Sequence, residues 1–300
     1  ITFLLGGIFF MRLGLEKLLL HRLKFLLRKL TQSPWRSVLL GTCAAALMQS
    51  STTVSLLTIG LVSADYLSFY QGLGIILGAN IGTCSTVQLM TLSLPTDIFL
   101  PLLLLSLLIT LLSKRFRYVG IAISGLLSMF LGLMVLSDAL GTLSEFATFI
   151  DYIVATKENS LYGILGGILM TLLFQSSSAA TGIIMVLAND NMIDVTTASF
   201  VVYGNNIGSC ISSIIVGFAS TIAAKRLALA HVLLNILGVL LFMPFTGVLT
   251  TIATYLTADF AGQVAIIHTI FNIISSLIVL PIIHQYANLI IFLSPGGKKE

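Results

Sequence analysis

The sequence predicts an all-α protein that crosses the membrane several times, and three observations predict this class. Of its 300 residues, 57% are hydrophobic and 9% are charged, and the mean hydropathy is +1.07. A soluble domain carries about 25% charged residues, so a surface this poor in charge is expected to face lipid. The apolar residues form long continuous runs, which favours membrane helices over a β-barrel. Two polar motifs interrupt these runs, and each occurs twice, which predicts a duplicated architecture.

The charges and the cysteines exclude several other classes of protein. The net charge of +4 comes from short basic clusters between apolar runs, a pattern typical of loops on one membrane face. No nucleic-acid partner is therefore predicted. Cys43, Cys84 and Cys210 lie inside apolar segments and lack the spacing of a zinc site or a disulfide framework. We expect a lipid-embedded protein without a cofactor.

The polar interruptions form an internal repeat without a gap. Gln49–Ser51 recurs as Gln175–Ser177, which lies 126 residues further along the chain. Gly78–Cys84 recurs at the same separation as Gly204–Cys210, with differences at two of the seven positions. Two unrelated motifs that keep one spacing indicate a duplication.

The charges predict how the chain crosses the membrane. If Val38–Val62 and Leu161–Ala188 are re-entrant hairpins, the loops separate into a basic face and an acidic face. The basic face collects Arg22, Lys24, Arg28, Lys29, Arg36, Lys114, Arg115, Arg117, Lys225, Arg226, Lys298 and Lys299. The acidic face collects Asp97, Asp138, Glu145, Asp151, Glu158, Asp190, Asp194 and Asp259, with Lys157 as its base. Because Lys and Arg favour the cytoplasm, the basic loops and the C-terminus are predicted to lie inside the plasma (inner) membrane.

This topology predicts inverted repeats. Three spans separate the two hairpins, and an odd number of spans reverses the orientation of the second repeat. The first repeat is predicted over residues 1–116, with its hairpin at about 37–63. The second is predicted over residues 117–247, with its hairpin at about 160–188. Residues 248–300 are assigned to an additional transmembrane helix and tail. The oligomeric state stays open, with a homodimer as one option.

The hairpin tips are the predicted anion site. Each tip places polar side chains at mid-membrane, beside a helix N-terminus whose free N–H groups and dipole favour an anion. The predicted substrate-binding residues are Gln49, Ser50, Ser51, Thr52, Gln175, Ser176, Ser177 and Ser178. Arg12 and Glu16 are the main ionisable candidates within the spans, so neutral donors are expected to hold most of the anion.

The Gly-x-Asn-Ile-Gly motifs are the predicted cation site. Glycines permit local unwinding, and irregular backbone at membrane depth is tolerated where it lines a cavity. Carbonyl and side-chain oxygens there suit a hard monovalent cation such as sodium. The predicted sodium-binding residues are Thr53, Asn80, Thr83, Asn206 and Ser209. The pairs His231–Asn235 and His268–Asn272 are interpreted as hydrogen-bonding groups between helices.

The doubled motifs resemble those of the type II sodium/phosphate cotransporter family. The resemblance rests on Gln49–Thr52 with Gly78–Thr83, and on Gln175–Ser178 with Gly204–Ser209. It covers nearly the whole chain and implies inorganic phosphate as substrate and sodium as coupling ion, carried in symport by alternating access. The chain departs from the family at Thr52, where serine is usual, and at Cys84 and Cys210, where threonine is frequent.

Three other functions would use some of the same residues. A transporter of sulfate or a carboxylate would use the same donors, because hydroxyl and N–H groups serve any oxyanion. An anion channel would need a continuous pore, whereas the polar groups here cluster at one depth. An intramembrane serine hydrolase would need a base beside Ser51 or Ser177, with His231 and His268 as the options. The sequence therefore predicts a transporter and no enzyme.

Overall fold

The structure is a computed structural model that describes residues 1–31, 33–92, 96–143, 155–156 and 159–295, without the side chains of 24, 27–30, 96–97 and 140–143. The regular structure in this part is helical. The helices are α1 (Thr2–Leu30), α2 (Pro34–Met48), α3 (Ser51–Ser63), α4 (Phe69–Gly82), α5 (Cys84–Met90), α6 (Thr96–Leu112), α7 (Arg117–Leu143), α8 (Ser160–Phe174), α9 (Ser177–Asn189), α10 (Val195–Ser209), α11 (Ile211–Phe218), α12 (Ile222–Phe242), a short 3₁₀ turn (Met243–Phe245), α13 (Thr246–Leu256), α14 (Phe260–Val279) and α15 (Ile283–Leu293).

Five helical stretches of the described chain are long and apolar enough to cross a membrane. They are Phe69–Met90, Arg117–Ala139, Val195–Phe218, Ile222–Leu256 and Phe260–Val279. Large apolar side chains also face outward over much of the surface, as in α6, where Leu111 is 80% exposed. The predicted all-α class is confirmed, and its helices fit an integral membrane protein. The predicted residues 145, 151, 157, 158, 298 and 299 of the charged faces lie outside the described residues.

The helices α1 and α7 form a close antiparallel pair. Gly7 lies against the backbone of Met129, and Gly14 lies against that of Ala122, so the order along one helix is reversed along the other. A Cβ atom at Gly14 would stand 2.6 Å from the backbone nitrogen of Ala122. Helices in lipid associate mainly through close van der Waals packing, which small residues permit. The glycines therefore hold α1 beside α7.

Each polar hairpin packs in the same way on the helix that follows it. The first hairpin is the pair α2 and α3, and α2 runs parallel to α4 with glycines in backbone contact. The second hairpin is α8 and α9, and α8 contacts α10 through equivalent glycines. The contacts are Gly41 with Ile75 and Gly78 with Val38 in the first set, and Gly167 with Val201 and Gly204 with Ile164 in the second. Every residue of the second set stands 126 positions after its counterpart.

One end of the helix bundle gathers the loops that the sequence assigns to the basic face. Gln71 Nε2 donates to the carbonyl of Thr31 over 2.8 Å, which joins the end of α1 to the start of α4. The start of α12 packs beside Gly72. Arg226 Nε donates to the carbonyl of Ser294 over 3.2 Å, so the end of α15 lies there as well.

The opposite end gathers loops of the acidic face. The hydroxyl of Ser137 donates to the carboxylate of Asp190, with both oxygens at 2.9 Å. Met90, Asp190 and Ala261 line one shared cleft, so the ends of α5 and α9 meet the start of α14. The first hairpin therefore ends near the basic loops, and the second ends near the acidic loops.

The two Gly-x-Asn-Ile-Gly helices are interrupted less than the sequence predicts. The helix pair α4–α5 breaks at Thr83, whose φ of −62° and ψ of −24° stay in the right-handed helical region. The pair α10–α11 breaks at Cys210, with φ −77° and ψ −15°. The amide of Thr83 still donates to the carbonyl of Ala79 over 3.1 Å. Each interruption is thus one residue long, because the hydrogen bonds around it are kept.

Candidate functional site

The first turn, Gln49–Ser51, reverses the chain between α2 and α3. Gln49 adopts a left-handed conformation with φ 51° and ψ 29°, which ends α2. Ser50 is extended, and its hydroxyl accepts a hydrogen bond from the amide of Thr53 over 3.2 Å. A serine N-cap of this kind satisfies one free amide at the start of α3. The motif therefore acts locally as a helix stop followed by a helix start.

The second turn, Gln175–Ser177, repeats this geometry. Gln175 has φ 51° and ψ 27°, and Ser176 accepts from the amide of Ala179 over 3.2 Å. The amide group of Gln175 donates to the carbonyl of Leu172 over 2.7 Å, as that of Gln49 does to Ala46 over 2.6 Å. The duplicated sequence motif thus gives a duplicated backbone conformation.

A small polar cavity lies between the start of α3 and the second turn. The first hairpin contributes Thr52, and the second contributes Gln175, Ser176 and Ser177. The interrupted helix α10–α11 adds Ser209 and Ser212, and Thr171 completes the polar lining. The cavity has a volume of about 50 Å³, enough for roughly three water-sized groups. Residues more than 100 positions apart are therefore brought to one site.

Each turn also leaves backbone donors free. The amides of Ser51 and Thr52 at the start of α3 have no acceptor among the described residues, and neither do those of Ser177 and Ser178 at the start of α9. Two helix N-termini with free amides converge near the cavity. Such groups bind anions through both their N–H bonds and the helix dipole.

Arg12 connects the two turns. Its Nε donates to the carbonyl of Gln49 over 2.8 Å, and its Nη2 donates to the hydroxyl of Ser178 over 3.2 Å. The residue lies on α1 and is partly buried. The sequence identified Arg12 as an ionisable group within a span but did not place it at the turns. The signal was present, because a charge within a membrane segment marks a candidate functional position.

The predicted substrate residues thus divide into three groups. Thr52, Gln175, Ser176 and Ser177 line the cavity. Gln49 and Ser178 are bonded to Arg12. Ser50 caps α3 and Ser51 begins that helix.

The predicted sodium residues are not gathered at one place. Ser209 lines the cavity, and the amide of Thr53 is bonded to Ser50. The side chain of Asn80 donates to Asn235 Oδ1 over 3.4 Å, toward α12. Asn206 donates to the carbonyl of Val202 in its own helix over 2.9 Å, and Thr83 is buried at the interruption of α4–α5.

Side-chain hydroxyl groups already donate hydrogen bonds to backbone carbonyls at the helix interruptions. The hydroxyl of Ser209 donates to the carbonyl of Asn206 over 2.7 Å, and Cys210 Sγ lies 3.4 Å from the same oxygen. The hydroxyl of Ser85 donates to the carbonyl of Gly82 over 2.8 Å. A cation at these carbonyls would have to displace the hydroxyl groups first.

A buried polar network lies beside the interrupted helices. The ring of His231 is 3.0 Å from the hydroxyl of Ser213 on α11, which links two helices as predicted. Asn235 donates to the carbonyl of His231 over 3.0 Å and to Cys210 Sγ over 3.1 Å. The ring of His231 therefore contacts Ser213, not Ser51 or Ser177, which were the serines of the hydrolase hypothesis.

The hydrogen bond between the residues of the second histidine pair lies within one helix. Asn272 donates to the carbonyl of His268 over 2.9 Å, one turn earlier in α14. His268 Nδ1 and Asn272 Oδ1 are buried and have no hydrogen-bond partner among the described residues. The predicted side-chain link between helices is thus made by His231, whereas for the second pair the contact to another helix among the described residues is that of the His268 carbonyl with Cys84 Sγ, at 4.0 Å.

Comparison with known proteins gives a consistent family. The profile of the Na+/Pi-cotransporter family matches residues 3–138 and 146–262. A protein of Bacillus subtilis (strain 168), "Uncharacterized protein YqeW", is 31% identical over 297 residues, which cover 98% of this chain and 96% of that protein. No solved structure matches the chain significantly.

Two further relatives carry functional names. "Putative inorganic phosphate export protein YjbB" of Escherichia coli (strain K12) is 26% identical over 253 residues, 83% of this chain and 46% of that protein. "Sodium-dependent phosphate transport protein 2A" of Oryctolagus cuniculus is 34% identical over 115 residues, 35% of this chain and 18% of that protein. The chain thus spans less than half the length of these two relatives.

The family match extends over most of the chain and includes both turns and both interrupted helices. Thr52 of the first repeat and the polar motifs of the second repeat line one cavity. The chain therefore belongs to the Na+/Pi-cotransporter family.

Proposed function

We propose that the chain is a secondary transporter that carries inorganic phosphate together with sodium by alternating access. The observation that supports this proposal is that the starts of the equivalent helices α3 and α9 contribute Thr52 and Ser177 to one polar cavity. The free amides at the starts of α3 and α9, with the hydroxyls of Thr52 and Ser177, form a donor set suited to a small oxyanion. The names of the relatives support phosphate as that oxyanion.

Sodium is proposed as the coupling ion. An anion in a site of low dielectric is costly unless a cation accompanies it, and the second relative is named as sodium-dependent. Thr53, Asn80, Thr83, Asn206 and Ser209 remain the proposed ligands. In addition, Gln49 Oε1 is buried and has no hydrogen-bond donor among the described residues, so a cation near the first turn would satisfy it.

The hairpins are proposed to be re-entrant. The helices α2 and α8 have 15 residues each, and α3 and α9 have 13 each. At about 1.5 Å per residue they reach roughly 20 to 23 Å, which is less than the hydrocarbon thickness of about 30 Å. Each hairpin can therefore enter and leave on one side but is too short to cross twice.

The repeats are proposed to be inverted. The first hairpin ends near the basic loops and the second near the acidic loops, at opposite ends of the bundle. The segments α1 and α7, which begin the two repeats, are antiparallel. Both features are expected of inverted repeats and not of repeats in one orientation. We assign the basic end to the cytoplasm of the plasma (inner) membrane.

Cysteines introduced at Asp65 and at Asn191 are expected to react from opposite sides of the membrane. These residues follow the two hairpins, are exposed, and have φ values of 56° and 59°. The measurement is labelling of Asp65→Cys and Asn191→Cys by an impermeant maleimide in right-side-out vesicles. The background is Cys43→Ala, because Cys43 is exposed while Cys84 and Cys210 are buried. Asn191→Cys should react directly and Asp65→Cys after permeabilisation, whereas reaction of both from one side would contradict inversion.

Alternating access is supported by a difference between the two turns. Gln49 is 7% exposed, whereas its counterpart Gln175 is exposed. In an architecture of two inverted repeats, Gln49 can become exposed while Gln175 becomes buried. This change would open the site first to one side of the membrane and then to the other. The structure would then represent one of the two states.

The proposed function has a direct test in proteoliposomes. Uptake of labelled phosphate is measured with an inward sodium gradient and, as the control, with an equal potassium gradient. We expect uptake that requires sodium and is chased by unlabelled phosphate. The direction of net flux in a symporter follows the imposed gradients, so this inward gradient tests the coupling and not the physiological direction; one relative is named as an exporter.

The other outcomes separate the competing functions. Uptake that ignores sodium would favour a channel or another driving ion. Sodium-dependent flux of sulfate or a carboxylate, with phosphate inactive as a competitor, would keep the fold and replace the substrate.

A further inference from the structure

Arg12 lies between Gln49 and Ser178 and uses two of its N–H groups in hydrogen bonds to them. A guanidinium group has five N–H donors in a planar fork. Two hydrogen bonds of Arg12 are described, to the carbonyl of Gln49 and to the hydroxyl of Ser178. Its remaining N–H donors have no acceptor among the described residues.

The charge of Arg12 has no counter-charge in the described part of the chain. No described carboxylate oxygen lies within 4.0 Å of the guanidinium. Glu16 follows one helical turn later on α1 without forming an ion pair. An unpaired charge within a membrane segment is costly and is usually retained along a substrate path.

The two protein acceptors of Arg12 differ in strength. Gln49 ends α2, and its carbonyl lies at the negative pole of that helix, which favours a cation. Ser178 lies in the first turn of α9, at a positive pole, and offers a neutral hydroxyl at the longer distance of 3.2 Å. The bond to Ser178 is therefore the weaker of the two and the easier to exchange.

We infer that Arg12 binds the transported phosphate, with Nη2 exchanging the hydroxyl of Ser178 for a phosphate oxygen while Nε stays on Gln49. The inference rests on the proposed function and adds a charged residue to its neutral donors. A phosphate at the start of α9 would meet both the guanidinium and the free amides of Ser177 and Ser178.

The expected increase in the KM for phosphate depends on what replaces the guanidinium of Arg12. Arginine binds phosphate through two parallel N–H bonds, here from Nη1 and Nη2, and lysine does not reproduce this geometry. Arg12→Lys keeps the charge and is expected to raise the KM for phosphate about tenfold. Arg12→Gln removes the charge and is expected to raise that KM about 100-fold. The matched control is Lys17→Gln, an exposed residue of the same helix, which is expected to leave KM unchanged.

The experiment combines two measurements on the purified full chain. Initial rates of uptake give KM and the maximal rate in proteoliposomes for the wild type and the three variants. The shift of the melting temperature on adding phosphate with sodium reports binding without transport. We expect the phosphate-induced shift to be largest in the wild type and Lys17→Gln, reduced in Arg12→Lys, and absent in Arg12→Gln.

The outcomes separate the inference from the proposed function. If the wild type binds and transports phosphate while both Arg12 variants keep its KM and melting shift, the inference is wrong and the proposed function stands. If Arg12→Gln melts lower without phosphate but still shows the full shift, Arg12 only holds the fold together, and the inference is wrong. If Arg12→Gln does not fold, an unchanged KM for phosphate in Arg12→Lys overturns the inference. A wild type without any response to phosphate overturns both proposals.

Discussion

Replacing Ser177 with alanine is expected to lower kcat/KM for sodium-dependent phosphate uptake by about tenfold or more. Ser177 begins α9 and lines the cavity between the turns. A hydrogen bond to a charged ligand contributes about 1.5–3 kcal/mol, and 1.4 kcal/mol corresponds to a factor of ten. The hydroxyl has no hydrogen-bond partner among the described residues, so its loss should leave the fold intact. The measurement is the initial rate of uptake below KM.

The control for this prediction is Ser124→Ala. Ser124 is buried on α7, away from the cavity, and its hydroxyl donates to the carbonyl of Ile121 in the same helix over 3.2 Å. Its replacement should change uptake by less than about twofold, since isolated serines in membrane helices commonly serve packing. Equal losses in the two variants would remove Ser177 from the substrate site.

Replacing Gly204 with alanine is expected to destabilise the folded protein by about 1–3 kcal/mol. The new Cβ atom would overlap the carbonyl oxygen of Ile164, and a backbone atom cannot move aside as a flexible side chain can. Overpacking of this kind typically costs 1–3 kcal/mol. The equivalent change Gly78→Ala meets the carbonyl of Val38 and should act similarly. The measurement is the melting temperature in detergent.

Gly60→Ala provides the matched control in α3. Gly60 also lies inside a helix, but a Cβ atom there meets nothing within 4 Å. Alanine favours helices over glycine by about 1 kcal/mol, so this variant should melt at the same temperature or higher. If all three alanines acted alike, the effect would come from helix propensity, and the close approach at Gly78 and Gly204 would not matter.

Much of the local structure could be predicted from neighbouring residues. Composition and apolar runs predict membrane helices, since only residues close in sequence are needed to judge whether a segment suits lipid. The turns at Gln49 and Gln175 were expected at the duplicated motifs, and both are formed by a left-handed residue followed by a serine cap. The sequence predicted local unwinding with free carbonyls at the Gly-x-Asn-Ile-Gly motifs, whereas the carbonyls of Gly82 and Asn206 accept hydrogen bonds from Ser85 and Ser209.

The composition of the site depends on packing between distant segments. The glycine contacts of α2 with α4 and of α8 with α10 set the orientation of each hairpin, and so the face that it turns to the other hairpin. No local sequence pattern specifies this orientation. Thus Thr52 reaches the cavity with Ser209, while Asn80, predicted as a sodium ligand together with Ser209, donates to Asn235. Arg12 could be identified from its charge alone, but its bonds to both turns required the fold.

The amino-acid sequence was therefore sufficient for the membrane class, the duplication, the two turns and the family resemblance, because each depends on composition or on a few adjacent residues. The grouping of side chains into a cavity and the position of Arg12 between Gln49 and Ser178 needed the folded chain. Contacts between residues more than 100 positions apart depend on helix packing. This packing is established by the glycine contacts between helices and by the antiparallel pairing of α1 with α7.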